Sequence, residues 1–288
     1  MEFPCKRFSS GHYLGRISVV FALLCVAALQ PAFGQSFTIK DLGTLPGGDL
    51  STARGINDRG QVVGDSETKG FSQPHAFLFE DGVMVDLGTL PGAGALFSEA
   101  FGINNRGQVA GFSGSPVLFE YAVLFENGVN GVIVNLGTLG SNNGSGALGI
   151  NNRGQVVGEA GTASGAIHAF LFDNGAMVDL GTLPGGSFSI ANGINDRGQV
   201  VGSSTANGLS GRRAFLFEDG VMVDLGALPG GDSEALGINN QGQVVGDSSP
   251  AALQFPHAVL WTPTDGQCND DGIDGQSNDD GRDGHCRD

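Results

Sequence analysis

A pattern of about 45 residues occurs five times along this 288-residue chain, and this repetition restricts the possible folds more than any other feature. Each copy contains, in order, LGxL, a glycine-rich link, AxGIN, the segment GQVVG, a variable link and a run such as HAFLF; only Ala110 interrupts GQVVG. The copies begin at Asp41, Asp86, Asn135, Asp179 and Asp224. The pattern predicts one small structural unit, repeated five times, whose neighbours pack together into a continuous core.

Each copy contains four short segments with the composition of β-strands. In the first copy these segments, named a to d, cover residues 53–57, 61–64, 75–79 and 83–87. They are rich in Val, Ile, Leu and Phe, and Gly, Asn or Asp bounds each of them, as is typical of strands joined by tight turns. The 50 glycines of the chain disfavour helix. The sequence therefore predicts an all-β protein.

Four short antiparallel strands in about 45 residues correspond to one blade of a β-propeller. Residues 37–43, FTIKDLG, resemble a strand d that no strand a, b or c precedes, and the last copy ends after strand c at Trp261. We therefore predict a five-bladed propeller over residues 35–262, whose N-terminal strand completes the last blade and closes the ring. Such closure removes exposed strand edges. The alternative is an open array, which requires capping units at both ends.

The links between strands differ in how much they vary. The a–b turns are nearly identical, with the sequences NDRG, NNRG, NNRG, NDRG and NNQG, whereas the b–c and d–a links differ from copy to copy. In an up-and-down sheet, the two kinds of link lie on opposite sides. Because binding residues are usually carried by variable loops on a rigid scaffold, we expect any ligand site on the b–c/d–a side or in the central channel.

Repeated aromatic residues and histidines favour architecture over chemistry. We expect the phenylalanines of strand c to fill the space between blades; these are Phe77, Phe79, Phe170, Phe172, Phe215 and Phe217. Three histidines occupy one equivalent position, which Tyr or Arg fills in the other copies; these are His75, His168 and His257. Equivalent positions in a wide ring lie too far apart to share a zinc ion, so a hydrogen-bonding or stacking role is predicted for them.

No motif of a nucleophile, metalloprotease or phosphate-binding loop is present, so the sequence supports no catalytic residue and no cofactor in the repeats. A propeller glycosidase would need convergent carboxylates that depart from the repeat. The less repetitive acids are Glu67, Glu99, Glu159 and Glu234. A glycoside hydrolase-like enzyme is therefore kept as an alternative, to be tested by replacing Glu99 or Glu234.

The first 34 residues have the features of a Sec-type signal peptide. Three basic residues precede the apolar run ISVVFALLCVAA, and Ala32-Phe33-Gly34 provides a small-residue cleavage site. The run is too short to span a membrane. We predict an extracellular or periplasmic monomer. Without residues 1–34 the chain has 11 basic and 29 acidic residues, a net charge of 11 − 29 = −18, which argues against nucleic acid as a partner.

Residues 263–288 differ from the repeats and form a predicted acidic tail. Its two cysteines, Cys268 and Cys286, are expected to form one disulfide in an exported protein. Six of its aspartates lie in two nine-residue units and could bind Ca²⁺ through carboxylate oxygens; these are Asp270, Asp271, Asp274, Asp279, Asp280 and Asp283. The alternative is a solvated, disordered tail, since almost nothing in it is apolar.

The long pattern AFLF[ED][DN]G–DLGTLPGG–GIN[DN]RGQVVG resembles the HAF repeat of bacterial extracellular proteins, over residues 37–262. The tail loosely resembles the Asp-rich calcium repeats of thrombospondin type 3 or dockerin-like modules. The HAF resemblance implies export and a repeat architecture and implies no activity. The predicted function is a secreted scaffold that binds an unidentified extracellular ligand, such as a polysaccharide. The alternatives are the glycosidase and a structural surface or matrix protein.

Overall fold

The computed structural model describes residues 37–263 except 70, 93, 117–118, 127–130, 210 and 251–254. Within this part of the chain all regular structure is β, in nineteen strands, and no apolar helix of membrane-spanning length is present. The strands are β1 (Ser51–Ile56), β2 (Val62–Thr68), β3 (Phe71–Glu80), β4 (Val83–Asp86), β5 (Phe97–Ile103), β6 (Val109–Gly114), β7 (Tyr121–Glu126), β8 (Val132–Asn135), β9 (Gly140–Ile150), β10 (Val156–Thr162), β11 (Ile167–Asp173), β12 (Ala176–Asp179), β13 (Ser189–Ile194), β14 (Val200–Thr205), β15 (Arg212–Glu218), β16 (Val221–Asp224), β17 (Asp232–Ile238), β18 (Val244–Ser249) and β19 (His257–Trp261).

Consecutive strands pair into five antiparallel sheets. Four sheets have four strands each, in the orders β1-β2-β3-β4, β5-β6-β7-β8, β9-β10-β11-β12 and β13-β14-β15-β16. The fifth sheet is β17-β18-β19. Each sheet is an up-and-down meander of one sequence copy, which confirms the predicted segments a to d and the all-β propeller class. Among the residues that the structure describes, the last copy has no strand d of its own, as the sequence predicted.

The second glycine of GQVVG is required by a bulge in the neighbouring strand a. In the first sheet, the register between β1 and β2 shifts between Ala53 and Gly55. A Cβ atom added to Gly64 would lie 1.8 Å from the carbonyl oxygen of Thr52. The same conflict arises at Gly158, where the distance to the carbonyl oxygen of Gly146 would be 1.9 Å. A β-carbon cannot approach an oxygen so closely, so this motif glycine is a packing requirement.

The hydrophobic core lies between consecutive sheets. Between the second and third sheets, for example, Ala110 and Leu124 pack with Val156 and Phe170 of the next sheet. Phe77, Phe125, Phe170 and Phe215 are among the largest fully buried side chains, and each contributes about 1.5–3 kcal/mol by burial. This confirms the prediction for Phe170 and Phe215, which pack between consecutive sheets, whereas Phe77 and Phe79 pack with Leu45 on the other face of the first sheet.

Buried serines and asparagines connect each sheet to the next. The Ser98 hydroxyl accepts a hydrogen bond from the Ala76 backbone N–H at 2.9 Å and donates to the Gly88 carbonyl at 2.7 Å. The side-chain amides of the a–b turns form a second series, in which each asparagine donates to the backbone carbonyl of the next copy's asparagine. The donors of this series are Asn57, Asn104, Asn151 and Asn195, and Asn239 provides the last carbonyl.

The predicted strand d at the N-terminus is not formed in the structure. Residues 37–44 belong to no strand, and the fifth sheet ends at β19 among the described residues. The outer face of that sheet is open: Val245 is 52% and Leu260 is 59% exposed, whereas the equivalent Val63 and Leu78 are 0% and 3% exposed. The four interfaces between consecutive sheets are formed. Closure of the ring between the fifth and first copies stays a prediction.

Replacing Gly158 with Ala is expected to reduce the free energy of unfolding by about 3 kcal/mol, because the new methyl group overlaps the carbonyl oxygen of Gly146. Gly146→Ala in the paired strand is the control, since its Cβ would meet only the Phe112 ring at 3.7 Å. Its effect should stay below about 1 kcal/mol. Urea unfolding of both variants measures the difference, and equal losses would contradict the assigned bulge packing.

Ring closure predicts that Asp41 pairs with His257, as Asp179 pairs with His168 at 2.9 Å within one sheet. Asp41 already accepts a hydrogen bond from the Gly43 N–H at 2.9 Å, as the equivalent aspartates do. A double-mutant cycle on Asp41 and His257 should give a coupling of about 0.2–1 kcal/mol at a pH where the histidine is charged. The control cycle on Asp179 and His168 should give a similar value. No coupling in the first cycle alone would argue for an open ring.

Candidate ligand-binding site

The repeated polar residues on the a–b/c–d side are occupied by internal hydrogen bonds. The Asn57 carboxamide oxygen accepts the backbone N–H groups of Arg59 and Gln61, both at 3.1 Å. The Gln61 amide in turn donates to the Glu80 carboxylate at 2.8 Å. The Ile-Asn-[Asn/Asp] segments of all five copies line one polar pit of about 380 Å³. The repeated polar residues on this side are therefore explained by the hydrogen bonds that they make within the protein.

Two of the three histidines and the arginine at the start of strand c, which are His75, His168 and Arg213, bind the aspartate of their own sheet. His75 Nδ1 lies 2.9 Å from the Asp86 carboxylate, and Arg213 Nε lies 3.3 Å from that of Asp224. Burial alone would raise the pKa of Asp86, but hydrogen bonds from His75 and the Gly88 N–H outweigh it and lower that pKa. These pairs join strands c and d, which agrees with the predicted hydrogen-bonding role.

Within the part of the chain that the structure describes, no group of three or more His, Cys, Asp or Glu side chains could hold a metal ion. The predicted calcium ligands of the tail, from Asp270 to Asp283, and the predicted disulfide between Cys268 and Cys286 lie outside the described residues. The predicted signal peptide also lies outside them. These assignments stay predictions.

Side chains that depart from the repeat meet between the first and second sheets, where strands a and b adjoin the variable links. Arg54 Nε lies 2.6 Å from Asp65 in its own sheet, and Arg54 Nη2 lies 2.9 Å from Glu99 in the next. The guanidinium of Arg54 also lies over the Phe101 ring, 4.7 Å from its centroid. Phe101 and Phe112 are in turn 5.4 Å apart between ring centroids. A charged cluster around Arg54 and an aromatic pair thus lie side by side, at positions whose residue type differs from copy to copy.

A cleft of about 300 Å³ lies beside this group, between the second and third sheets. We call it the loop-face cleft and define it by its six principal lining residues, which are Phe112, Phe119, Glu120, Asn143, Leu148 and Glu159. Phe119 and Glu120 come from the b–c link of the second copy, and Asn143 comes from the d–a link of the third. The cleft is therefore on the side where the sequence predicted a ligand site.

The lining of the cleft combines apolar and acidic side chains. The apolar side chains are those of Phe112, Phe119 and Leu148, and the acidic ones are those of Glu120 and Glu159. Burial raises the pKa of the half-buried Glu159 carboxyl, and the charge of Glu120 adds to this effect, although Arg212 opposes it. The geometry suits a ligand that has both a flat apolar face and polar groups at its edge.

Glu99 is a second carboxyl with a raised pKa near the cleft. Burial is the main cause, the negative charge of Asp65 adds to it, and Arg54 opposes it. Glu99 and Glu159 are both among the less repetitive acids noted in the sequence. Glu234 instead accepts a hydrogen bond from Asn192 at 3.0 Å and lines a different cavity, between the fourth and fifth sheets.

Sequence reasoning did not identify Phe119, Glu120 or Asn143 as site residues. All three lie in links that the sequence marked only as variable, and Glu120 and Asn143 come from different copies of the repeat. The only available indication was that they interrupt the repeat. Their convergence depends on how the second and third sheets pack, which the pattern within one copy does not specify.

Three solved structures align with this chain over about three quarters of its length. A TolB-like protein from Agrobacterium tumefaciens aligns with a TM-score of 0.51 and 12% identity, over 73% of this chain and 76% of that chain. TolB from Acinetobacter baumannii gives 0.47 and 11%, over 74% and 54%. A gluconolactonase from Xanthomonas campestris gives 0.37 and 10%, over 74% and 77%. At these identities the first similarity supports the β-propeller fold and nothing about activity.

No protein-family profile matches the sequence, and no curated protein sequence matches it either. The resemblance to the HAF repeat therefore stays a prediction.

Replacing Glu159 with Gln is expected to increase stability at neutral pH. Burial raises the pKa of this carboxyl above 4.5, so its charged form is disfavoured in the folded state. Such a group weakens the fold as pH rises through its folded pKa, and the penalty is absent at pH values well below 4.5. The difference in unfolding free energy between variant and parent should therefore disappear on acidification.

Urea unfolding at several pH values measures this dependence. Asp81→Asn, on an exposed turn, controls for the general effect of removing one negative charge from an acidic chain. A Glu159→Gln variant that is less stable than the parent at pH 7 would show that the carboxylate stabilises the fold.

Proposed function

We propose that this protein is an exported β-propeller scaffold that binds a carbohydrate in the loop-face cleft. The observation that carries the proposal is the composition of that cleft, in which two phenylalanines, two glutamates and an asparagine line a volume of about 300 Å³. Ligand pockets typically combine a largely apolar lining with a few polar groups that fix orientation. The repeated residues elsewhere are occupied by internal contacts, so this cleft is the best candidate for recognition.

The chemistry of the cleft matches that of a sugar ring. A pyranose has an apolar face of C–H groups and an edge of hydroxyl groups, so it can pack on an aromatic ring while it donates hydrogen bonds to carboxylates. Phe119 is 47% exposed, so its ring is accessible to a ligand in the cleft. Asn143 at the rim can both donate and accept hydrogen bonds, as sugar hydroxyls require.

The proposed setting is the periplasm or the extracellular space, where polysaccharides are available. It rests on the predicted signal peptide in residues 1–34 and on the absence of a second apolar run of membrane length in the sequence. The strong negative charge argues against nucleic acid as the ligand. A monomer is expected, because the predicted ring closure would cover the open face of the last sheet as well.

A second candidate function is glycoside hydrolysis. Glycosidases need one carboxyl that stays protonated as the acid and one that is ionised as base or nucleophile. The raised pKa of Glu159 and of Glu99 favours this alternative, because burial disfavours the charged form of each carboxyl, as an acid catalyst requires. In that case the same cleft would cleave the carbohydrate rather than only bind it.

A glycan array probed with the secreted chain tests the proposal. We expect binding to a defined class of glycan. Phe119→Ala should weaken this binding at least tenfold, or by about 1.4 kcal/mol, because it removes an exposed ring on which the sugar packs. Phe255→Ala is the matched control, because Phe255 is 76% exposed and does not line the cleft. Its affinity should equal that of the parent.

Two results would contradict the proposal. The first is that no glycan binds the parent protein, and the second is that Phe119→Ala binds as well as Phe255→Ala. Release of reducing ends from a bound glycan, abolished in Glu159→Gln, would support the hydrolase instead. Loss of turnover in Glu234→Gln alone would place the chemistry in the other cavity, between the fourth and fifth sheets.

A further inference from the structure

We infer that the carbohydrate bound in the loop-face cleft carries free, positively charged amino groups, as a polymer of deacetylated amino sugars does. This inference rests on the proposed function, because it specifies the class of glycan for the same cleft. It follows from the balance of charge and hydrogen bonds around the two glutamates that line the cleft.

The first step is that these two carboxylates lack a partner of their own. Neither Glu120 nor Glu159 makes a side-chain hydrogen bond or a salt bridge within the part of the chain that the structure describes. Glu120 is exposed at the rim, and Glu159 is half-buried deeper in the cleft. Each of the two charges therefore faces the cleft without compensation inside it.

The second step is that nearby carboxylates do have partners. Asp65 and Glu99 share the guanidinium of Arg54, at 2.6 and 2.9 Å. Glu234 accepts a hydrogen bond from the Asn192 amide at 3.0 Å. Glu120 and Glu159 differ from these paired acids, and among the described residues they share the lack of a partner with other carboxylates such as Asp247; what distinguishes them is that both line one cleft with Phe112 and Phe119.

The third step is that the lining of the cleft contains no lysine or arginine among the described residues. Arg212 acts on Glu159 electrostatically but lines the neighbouring cavity, where its guanidinium lies 4.2 Å from the centroid of the Phe188 ring. Arg212 thus offsets part of the Glu159 charge from outside the cleft, and the remaining negative charge of Glu120 and Glu159 favours a cationic ligand.

The ligand classes can be compared on this basis. A neutral sugar can donate hydroxyl hydrogen bonds to Glu159, but it brings no opposite charge to a half-buried carboxylate. A sugar acid would add like-charge repulsion. An amino sugar places its ammonium group at the ring edge, where it can reach a carboxylate while the apolar ring face packs on Phe119 or Phe112. Charge-assisted hydrogen bonds of this kind are stronger than neutral ones.

The charge of the whole chain acts in the same direction. A net charge of −16 over all 288 residues attracts a polycation and raises its concentration near the surface. This general attraction is weakened by salt, whereas pairing inside a partly enclosed cleft is weakened less. The two contributions can therefore be separated experimentally.

The test is isothermal titration calorimetry of the full exported chain with a glucosamine hexamer and an N-acetylglucosamine hexamer. The titrations are done at about pH 6, below the pKa of amino groups of this kind, and at physiological salt. We expect the glucosamine hexamer to bind at least tenfold more tightly. Glu120→Gln and Glu159→Gln should each remove most of that preference. Asp219→Asn, on an exposed turn outside the cleft, controls for the loss of one negative charge and should keep the preference.

Thermal unfolding of each variant confirms that it is folded before its affinity is compared. Equal affinity for the two hexamers would overturn this inference and leave the proposed carbohydrate function in place. Binding of neither hexamer, when other glycans do bind, would overturn the inference as well, and binding of no glycan would remove both. If a lysine hexapeptide binds as tightly as the glucosamine hexamer with the same dependence on Glu159, the cleft recognises cations without a sugar, and the inference is wrong.

Discussion

The close approach of each sheet to the next is the interaction on which the rest of the structure depends. Glycines at fixed places in strand a leave room for this approach. A Cβ atom on Gly149 would lie 3.3 Å from the Asn192 carbonyl oxygen of the following copy, and one on Gly193 would lie 3.4 Å from the Gly237 Cα. These contacts let Val, Leu and Phe side chains of neighbouring sheets meet in a dry core. Each sheet by itself would expose both of its apolar faces to water.

This packing also explains why so much of the sequence is repeated. Ser98 and Asn104 each bond to backbone groups of an adjacent copy, so their equivalents must occur in almost every copy for the sheets to stay in register. A second serine, in strand b, accepts a backbone N–H from the d–a link, as Ser113 does from Leu90. The third copy departs from this pattern: Ala160 replaces the serine, and the Leu139 N–H bonds directly to the Gly161 carbonyl. Repetition here is a structural requirement, and positions free of it are available for recognition.

The proposed site uses those free positions at some cost to stability. Glu159 occupies a strand b position that holds Phe112 in the second copy and Ser203 in the fourth. A half-buried carboxylate without a hydrogen bond does not help the fold, whereas the equivalent Asp65 is paired with Arg54. Groups that are unfavourable for folding and unexplained by packing are expected at functional sites, where their interactions are completed by a ligand.

The sequence alone determined the local units of this protein: four strands per copy, the tight turns at Asn and Gly, the missing strand d of the last copy, and the side on which the links vary. These follow from periodicity and turn chemistry within about 45 residues. Only the tertiary structure decided that Glu120 and Glu159 share one cleft with Asn143, and that Arg54 bridges two sheets. It also left residues 37–44 outside any strand, contrary to the pattern. The physical reason is that contacts between copies depend on the angle and spacing of packed sheets, which no motif within a single copy encodes.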